Sequence, residues 1–170
     1  EIRNCDWSSD VCSSDLLRGE DLLLVRNLRR NGSHDWSTPG GVIDAEDASV
    51  LDGLAREVAE ETGLTVTAWS GPLYEVVATS VDLGWEMRCE VHLVESVDGE
   101  VVLEDPDGIV DHAAFVPPHA LDDHLAGCFP WVREPLAEWL AERWRAGEVR
   151  AFHYEVQGGS LDTLTAVRVG

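Results

Sequence analysis

From Asp21 the chain reads DLLLVRNLRR, and its run of four apolar residues, 22–25, predicts a short buried strand. Asn31-Gly32-Ser33 is a turn signal, and residues 36–41, WSTPGG, read as a loop. The period then changes. Val50, Leu51, Leu54 and Val58 share one face at helical spacing. Ser49 followed by Asp52 resembles a capping box, and Gly63 sits where a left-handed C′ residue ends a helix. A helix is therefore expected over roughly residues 50–62. Gly53 inside it costs about 1 kcal/mol relative to alanine, which close backbone packing would explain. Segments 64–70, 73–80, 86–95 and 99–103 are rich in Val, Leu, Thr and aromatics and predict strands, the last two joined by a hairpin turn at Ser96-Val-Asp-Gly99. Residues 104–111 form an acidic loop and 113–116 a strand that ends at Pro117-Pro118. A short helix over 119–126 and an amphipathic helix over 130–145 follow, the latter with Val132, Leu136, Trp139, Leu140 and Arg143 on one stripe. Trp131, Trp139 and Trp144 are assigned to packing. The tail suggests a hairpin around Gly158-Gly159. This order of elements predicts an α/β protein: a mixed sheet with helices on both faces.

Composition narrows the function classes. At 170 residues with 44% hydrophobic content the chain suits one globular domain. A formal net charge of −21 repels duplex phosphates and argues against nucleic-acid binding. It does not argue against a nucleotide, because a bound cation inverts the local field. No apolar run reaches the roughly 20 residues of a membrane span, and no basic-then-apolar signal pattern opens the chain, so a cytoplasmic location is expected. Residues 1–16, EIRNCDWSSDVCSSDL, are rich in Ser and Asp without periodicity and resemble a translated sequencing-adapter read. They are expected to be a non-native, loosely attached leader, with 17–170 as the single domain, including the C-terminal helix and hairpin. Beyond them only Cys89 and Cys128 remain, with no CxxC pair, which argues against a zinc site or a disulfide framework. The six histidines show no paired-ligand spacing, and no serine has a nucleophile-elbow context.

The strongest chemical signal lies in the helix. Glu57, Glu60 and Glu61 stand at i, i+3 and i+4, so three carboxylates share one face. Their repulsion would be relieved by a hard divalent cation, Mg²⁺ or Mn²⁺. An acidic face alone is usually solvated surface, but the context is specific. The string GGVIDAEDASVLDGLAREVAEETGL resembles the Nudix box: Gly, five residues, Glu, seven residues, Arg-Glu, an aliphatic, any residue, Glu-Glu, any residue, Gly, an aliphatic. REVAEETGL matches at every fixed position. The first half departs twice: Asp47 replaces the glutamate, and one extra residue separates it from Arg56.

The resemblance implies a Nudix-type α/β/α sandwich with a mixed β-sheet. It implies a metal-dependent hydrolase that cleaves a phosphoanhydride in a nucleoside diphosphate linked to another group. Glu57, Glu60 and Glu61 are then the metal ligands, with Glu57 also the candidate base, and Glu57, Glu61 and Arg56 form the catalytic set. Arg56 is expected to hold a neighbouring carboxylate by a bidentate contact. Gly40 and Gly41 supply a carbonyl ligand or a close backbone approach to phosphate. A further acid is expected from the loop of Glu104, Asp105, Asp107 and Asp111, with Asp111 preferred and Glu90 weaker. Arg26 and Arg88 are candidates for phosphate, and Trp36, Tyr74 and Trp85 for a base, Arg26 and Trp36 being retained as substrate-binding. Markers of ADP-ribose, NADH and dinucleoside polyphosphate subfamilies are missing, which leaves a (d)NTP or related nucleotide as substrate. The alternatives are a catalytically inactive Nudix-like nucleotide-binding or regulatory module and, more remotely, a prenyl diphosphate isomerase. Exposed apolar residues of the terminal hairpin are compatible with a homodimer.

Overall fold

The computed structural model describes residues 8–29, 32–103, 106, 108–160 and 163–170. Among these, nine strands form one sheet: β1 (Ser8–Arg18), β2 (Asp21–Leu28), β3 (His34–Ser37), β4 (Gly40–Val42), β5 (Thr65–Ser80), β6 (Trp85–Asp98), β7 (Val110–Val116), β8 (Arg150–Gln157) and β9 (Thr165–Arg168). The helices are α1 (Val50–Thr62), α2 (Pro118–Leu125) and α3 (Pro130–Glu142). The sheet order is β3-β2-β1-β6-β5-β8-β9, with β4 on β1 and β7 on β2. The β1–β6 and β5–β8 pairs are parallel and the remainder antiparallel, so the sheet is mixed as expected. None of the helices among the described residues is long and apolar enough to cross a membrane.

The sheet separates two cores. Leu22 and Leu24 of β2 join Val76, Val91, Trp139 and Phe152 beneath α2 and α3. Leu23 points the other way and packs with Val58 of α1, Leu64 and Val94. Strand β2 is thus buried on both faces, which explains an apolar run without alternation. Trp131, Trp139 and Trp144 are all buried, in keeping with a packing role.

Several expectations are corrected. Residues 1–16 are not loosely attached where they are described: Ser8–Leu16 make up most of β1, the strand between β2 and β6. The physical reason is that a ladder is closed by backbone groups, and nine residues of this segment pair in register with residues 86–94. Trp7 lies outside the described residues. The segments 64–70 and 73–80 are one strand, β5, that runs through Gly71-Pro72 with shifts in register against β6. The hairpin at Ser96–Gly99 does not form. Strand β6 continues through the predicted turn to Asp98 against Thr65, and over residues 86–94, where residues 99–103 would fold back, its edges are taken by β5 and β1. That segment instead crosses the end of α1, where Val102 N–H donates to Thr62 O at 2.8 Å. Val50 is exposed rather than part of the buried face of α1. Arg143 ends α3 in a left-handed conformation (φ 52°) instead of extending its stripe.

Candidate active site

Helix α1 is built from local signals. Ser49 Oγ accepts from Asp52 N–H at 3.2 Å and donates to the Asp52 carboxylate at 2.7 Å. Gly63, at φ 75°, closes the other end by donating to Ala59 O. Gly53 is buried because the helix there meets another chain segment: a β-carbon would lie 2.5 Å from Asp47 Oδ2 and 2.9 Å from Ile43 Cδ1. Leu54 and Val58, both fully buried, hold the helix on the sheet and turn its acidic face toward β4.

There the carboxylates meet the glycines. Gly40 N–H donates to Glu61 Oε2 at 3.0 Å. A β-carbon on Gly41 would lie 2.5 Å from Glu57 Oε2, so only glycine leaves space for that side chain. Arg56 ties the acids together. Its Nε and Nη2 donate to the two oxygens of Asp47 at 3.2 and 3.0 Å, and its Nη1 donates to Glu57 Oε1 at 2.8 Å and Glu60 Oε2 at 3.4 Å. Asp44 lies 3.4 Å away, and Val42 O accepts from Nη2 at 3.4 Å. The expected bidentate contact is therefore present, with Asp47 as its acceptor. Sequence reasoning missed Asp44 and the Val42 carbonyl, although Asp44 stands three residues before Asp47.

The electrostatics follow from these contacts. Burial raises the Glu57 pKa, and the hydrogen bond from Arg56 opposes the rise. Asp47 is held below the ordinary carboxylate range, first by the Arg56 hydrogen bond and then by Asp44 N–H. The Arg56 guanidinium, with Asp47 as its main partner, is stabilised in its charged form. Among the described residues, no three His, Cys, Asp or Glu side chains converge to metal-ligating distances. The donor chemistry nonetheless fits a hard divalent cation: Glu57, Glu60 and Glu61 offer only oxygens, and the glycine backbone beside them offers a carbonyl.

The remaining candidates divide. Asp111 is engaged on β2 and β3: it accepts from Arg26 Nε and Nη2 at 2.8 and 3.1 Å and pairs with His34 at 3.1 Å. Arg26 is occupied by the same ion pair. Its guanidinium lies 5.9 Å from the Trp36 ring, which meets His112 and His124 edge-on, while Cys128 Sγ donates to Trp36 O. Glu104, Asp105 and Asp107 lie outside the described residues. Tyr74 and Trp85 are core residues. Glu90 is paired with His92 Nε2 at 2.5 Å, and Arg88 with Glu86 at 2.9 Å. A cavity of about 180 Å³ opens beside Gly40, walled by Thr38, Met87, Val91, Trp131 and Leu136; Met87 carried no sequence signal, and Leu136 was legible only as part of the apolar stripe of α3. A larger depression of about 600 Å³ over β5 and β8 contains none of the α1 acids, so the chemistry locates the site at α1 instead.

Comparison with known proteins gives a consistent result. A family model described as "NUDIX domain" matches residues 11–140. Among solved structures, the mutator MutT protein from Bacillus halodurans superposes with a TM-score of 0.64 at 18% identity, over 93% of this chain and 97% of that one. A NUDIX hydrolase from Nitrosomonas europaea gives 0.64 at 20% identity, over 82% and 92%. The MutT NUDIX hydrolase from Burkholderia pseudomallei gives 0.56 at 21% identity, over 71% and 98%. At these identities the structures speak for the fold, an α/β/α sandwich. No curated protein matches the sequence.

Proposed function

The chain belongs to the NUDIX family and is a Nudix hydrolase, and from that premise we propose that it is a metal-dependent enzyme cleaving a phosphoanhydride bond in a (d)NTP or related nucleoside diphosphate derivative. One observation carries the reading: α1 delivers Glu57 and Glu61 against the bare backbone of Gly41 and Gly40, with Arg56 bracing the acids.

Glu57, Glu60 and Glu61 would hold a Mg²⁺ or Mn²⁺ ion. Bound there, such an ion neutralises phosphate charge and acidifies a water. The chain's own residues supply the rest. Glu57 is partly desolvated, which raises its proton affinity toward that of a useful general base. Arg56 restricts Glu57 to one orientation. The absence of side chains at Gly40 and Gly41 lets a polyphosphate approach the carboxylates. The nucleoside attached to those phosphates would occupy the cavity beside Gly40, whose apolar walls suit a base. Asp111 is left out of the ligand set because both its oxygens are engaged by Arg26 and His34.

The test is an assay with Mg²⁺ and a panel of dNTPs, NDP-sugars, ADP-ribose and dinucleoside polyphosphates, measuring phosphate release. Turnover on at least one is expected, and Glu61→Gln should remove most of it without unfolding the protein. Metal binding without turnover on any member would point instead to a nucleotide-binding module. Unchanged rates in Glu61→Gln would count against the assigned site.

A further inference from the structure

The contacts of Asp47 give its two departures from the box a single explanation. We propose that Asp47 is a positioning residue whose short side chain is matched to the extra residue in its loop, so that it holds Arg56, and through it Glu57 and Glu60, from a seat on the bare backbone of Gly53.

The carboxylate is fixed from three sides. Asp44 N–H donates to Oδ2 at 2.8 Å. Arg56 grips both oxygens, at 3.2 and 3.0 Å. The third side is α1 itself, where a β-carbon on Gly53 would lie 2.5 Å from Oδ2 and 3.0 Å from Cγ. The same β-carbon would lie 2.9 Å from Ile43 Cδ1, so Ile43 meets the same stretch of helix. A side chain one methylene longer, starting from the same backbone, would have to push past the place where Oδ2 now meets the helix at Gly53. A loop one residue shorter would draw the backbone at 47 away and leave an aspartate short of Arg56. The two departures are therefore one compensated change. The consequence reaches the acids because the Arg56 donors left over from Asp47 go to Glu57 Oε1 and Glu60 Oε2. With Asp47 withdrawn, Arg56 is free to follow Asp44, which lies 3.4 Å away and is far more exposed. The positioning role rests on the hydrolase reading above; the seating geometry does not.

Four proteins test it: wild type, Asp47→Glu, deletion of Ala48, and the two changes combined. Ala48 is exposed and follows Asp47 directly, so its removal restores seven residues before Arg56. Mn²⁺ affinity is read from the EPR signal of free Mn²⁺, and kcat and KM from the best nucleotide of the panel. Each single change should cost about tenfold or more in Mn²⁺ affinity and in kcat, with KM little moved. The combined protein should return to within about threefold of wild type, since outer contacts of this kind act on the groups they orient. A combined protein as poor as the worse single variant overturns the matching. Gly53→Ala provides a second check that does not depend on loop remodelling. Alanine is the better helix residue, so stability should hold while Mn²⁺ affinity and kcat fall; unchanged values would also overturn the proposal. Wild type that binds Mn²⁺ but hydrolyses nothing removes the hydrolase reading, while the coupling in Mn²⁺ affinity still judges the seat. Wild type that binds no Mn²⁺ overturns both.

Discussion

Two residues show how narrowly single side chains define this molecule. Gly41 has an ordinary backbone conformation, so its constraint is space alone: the atom in the way of a β-carbon is the far end of Glu57, a side chain that can swing aside. Gly41→Ala should therefore fold normally, with unfolding free energy within about 1 kcal/mol of wild type. It should lose about 10- to 100-fold in kcat because Glu57 is displaced. Urea denaturation paired with steady-state kinetics separates the two effects, and loss of stability with full activity would contradict the geometry. Asp15 of β1 is the opposite case. It is fully buried, Tyr74 OH donates to Oδ2 at 3.3 Å, and Oδ1 has no hydrogen-bond partner among the described residues. Burial raises its pKa from 3.8 to about 7, against the lowering effects of Tyr74 and Arg143. The unfolded chain thus releases this proton near pH 4 while the folded chain keeps it until about pH 7. Stability falls as pH rises through that window and is flat above it. The loss attributable to this one group is on the order of 4 kcal/mol. Asp15→Asn should remove that part of the dependence, so the difference between variant and wild type in urea unfolding should widen from pH 4 to pH 7.5. A constant difference would show that Asp15 does not titrate in a buried state.

Among the elements, α1 was the most legible because its limits are set by neighbours in sequence. Ser49, Asp52 and Gly63 act within one turn of the ends they close, and the helix spans Val50–Thr62 as the signals implied. Ser49→Ala should cost about 1 kcal/mol in unfolding free energy, the usual value of a lost N-cap. It should leave Gly63 and the C-terminal turn with Glu61 unaffected. A loss near zero would mean that the tertiary contacts of Leu54 and Val58 alone fix the start of the helix. The three glutamates were legible for the same reason, being an i, i+3, i+4 set on that helix. Other features were not local. The turn at Ser96–Gly99 has a real signal, and Gly99 does adopt φ 96°, but a hairpin also needs a free edge to fold back on, and residues 86–94 of β6 are paired with both β1 and β5. The Arg26–Asp111 pair joins residues 85 apart, and only the register of β2 against β7, with Arg26 opposite His112, brings them together. Asp47 was ambiguous because its distance from Arg56 in the motif was off by one, and only the three-dimensional seat at Gly53 shows that the contact survives.

For the whole molecule the dominant quantity is charge. Asp and Glu number 33 against 12 Lys and Arg, a formal net of −21. Much of the cationic complement is also spent internally. Arg26, Arg29, Arg56, Arg88, Arg150 and Arg168 all pair with acids within the chain. If the α1 acids hold a cation as proposed, a polyphosphate approaches a surface of its own sign and is attracted only at close range, by that cation. Long-range repulsion of this kind lowers the association rate, and salt screens it once the Debye length shrinks to about 10 Å at 0.1 M. The expected signature is the reverse of that of a basic nucleotide-binding surface. At saturating Mg²⁺, raising KCl from about 20 to about 200 mM should increase kcat/KM, with the change in KM and little in kcat, since screening acts on encounter and not on groups already in contact. An uncharged osmolyte at matched osmolality serves as the control and should have no such effect. A decrease of kcat/KM with salt would mean that the substrate meets a local positive field strong enough to override the net charge. The search for that field would then begin at Arg88, which is two-thirds exposed and whose ion pair with Glu86 is on the surface.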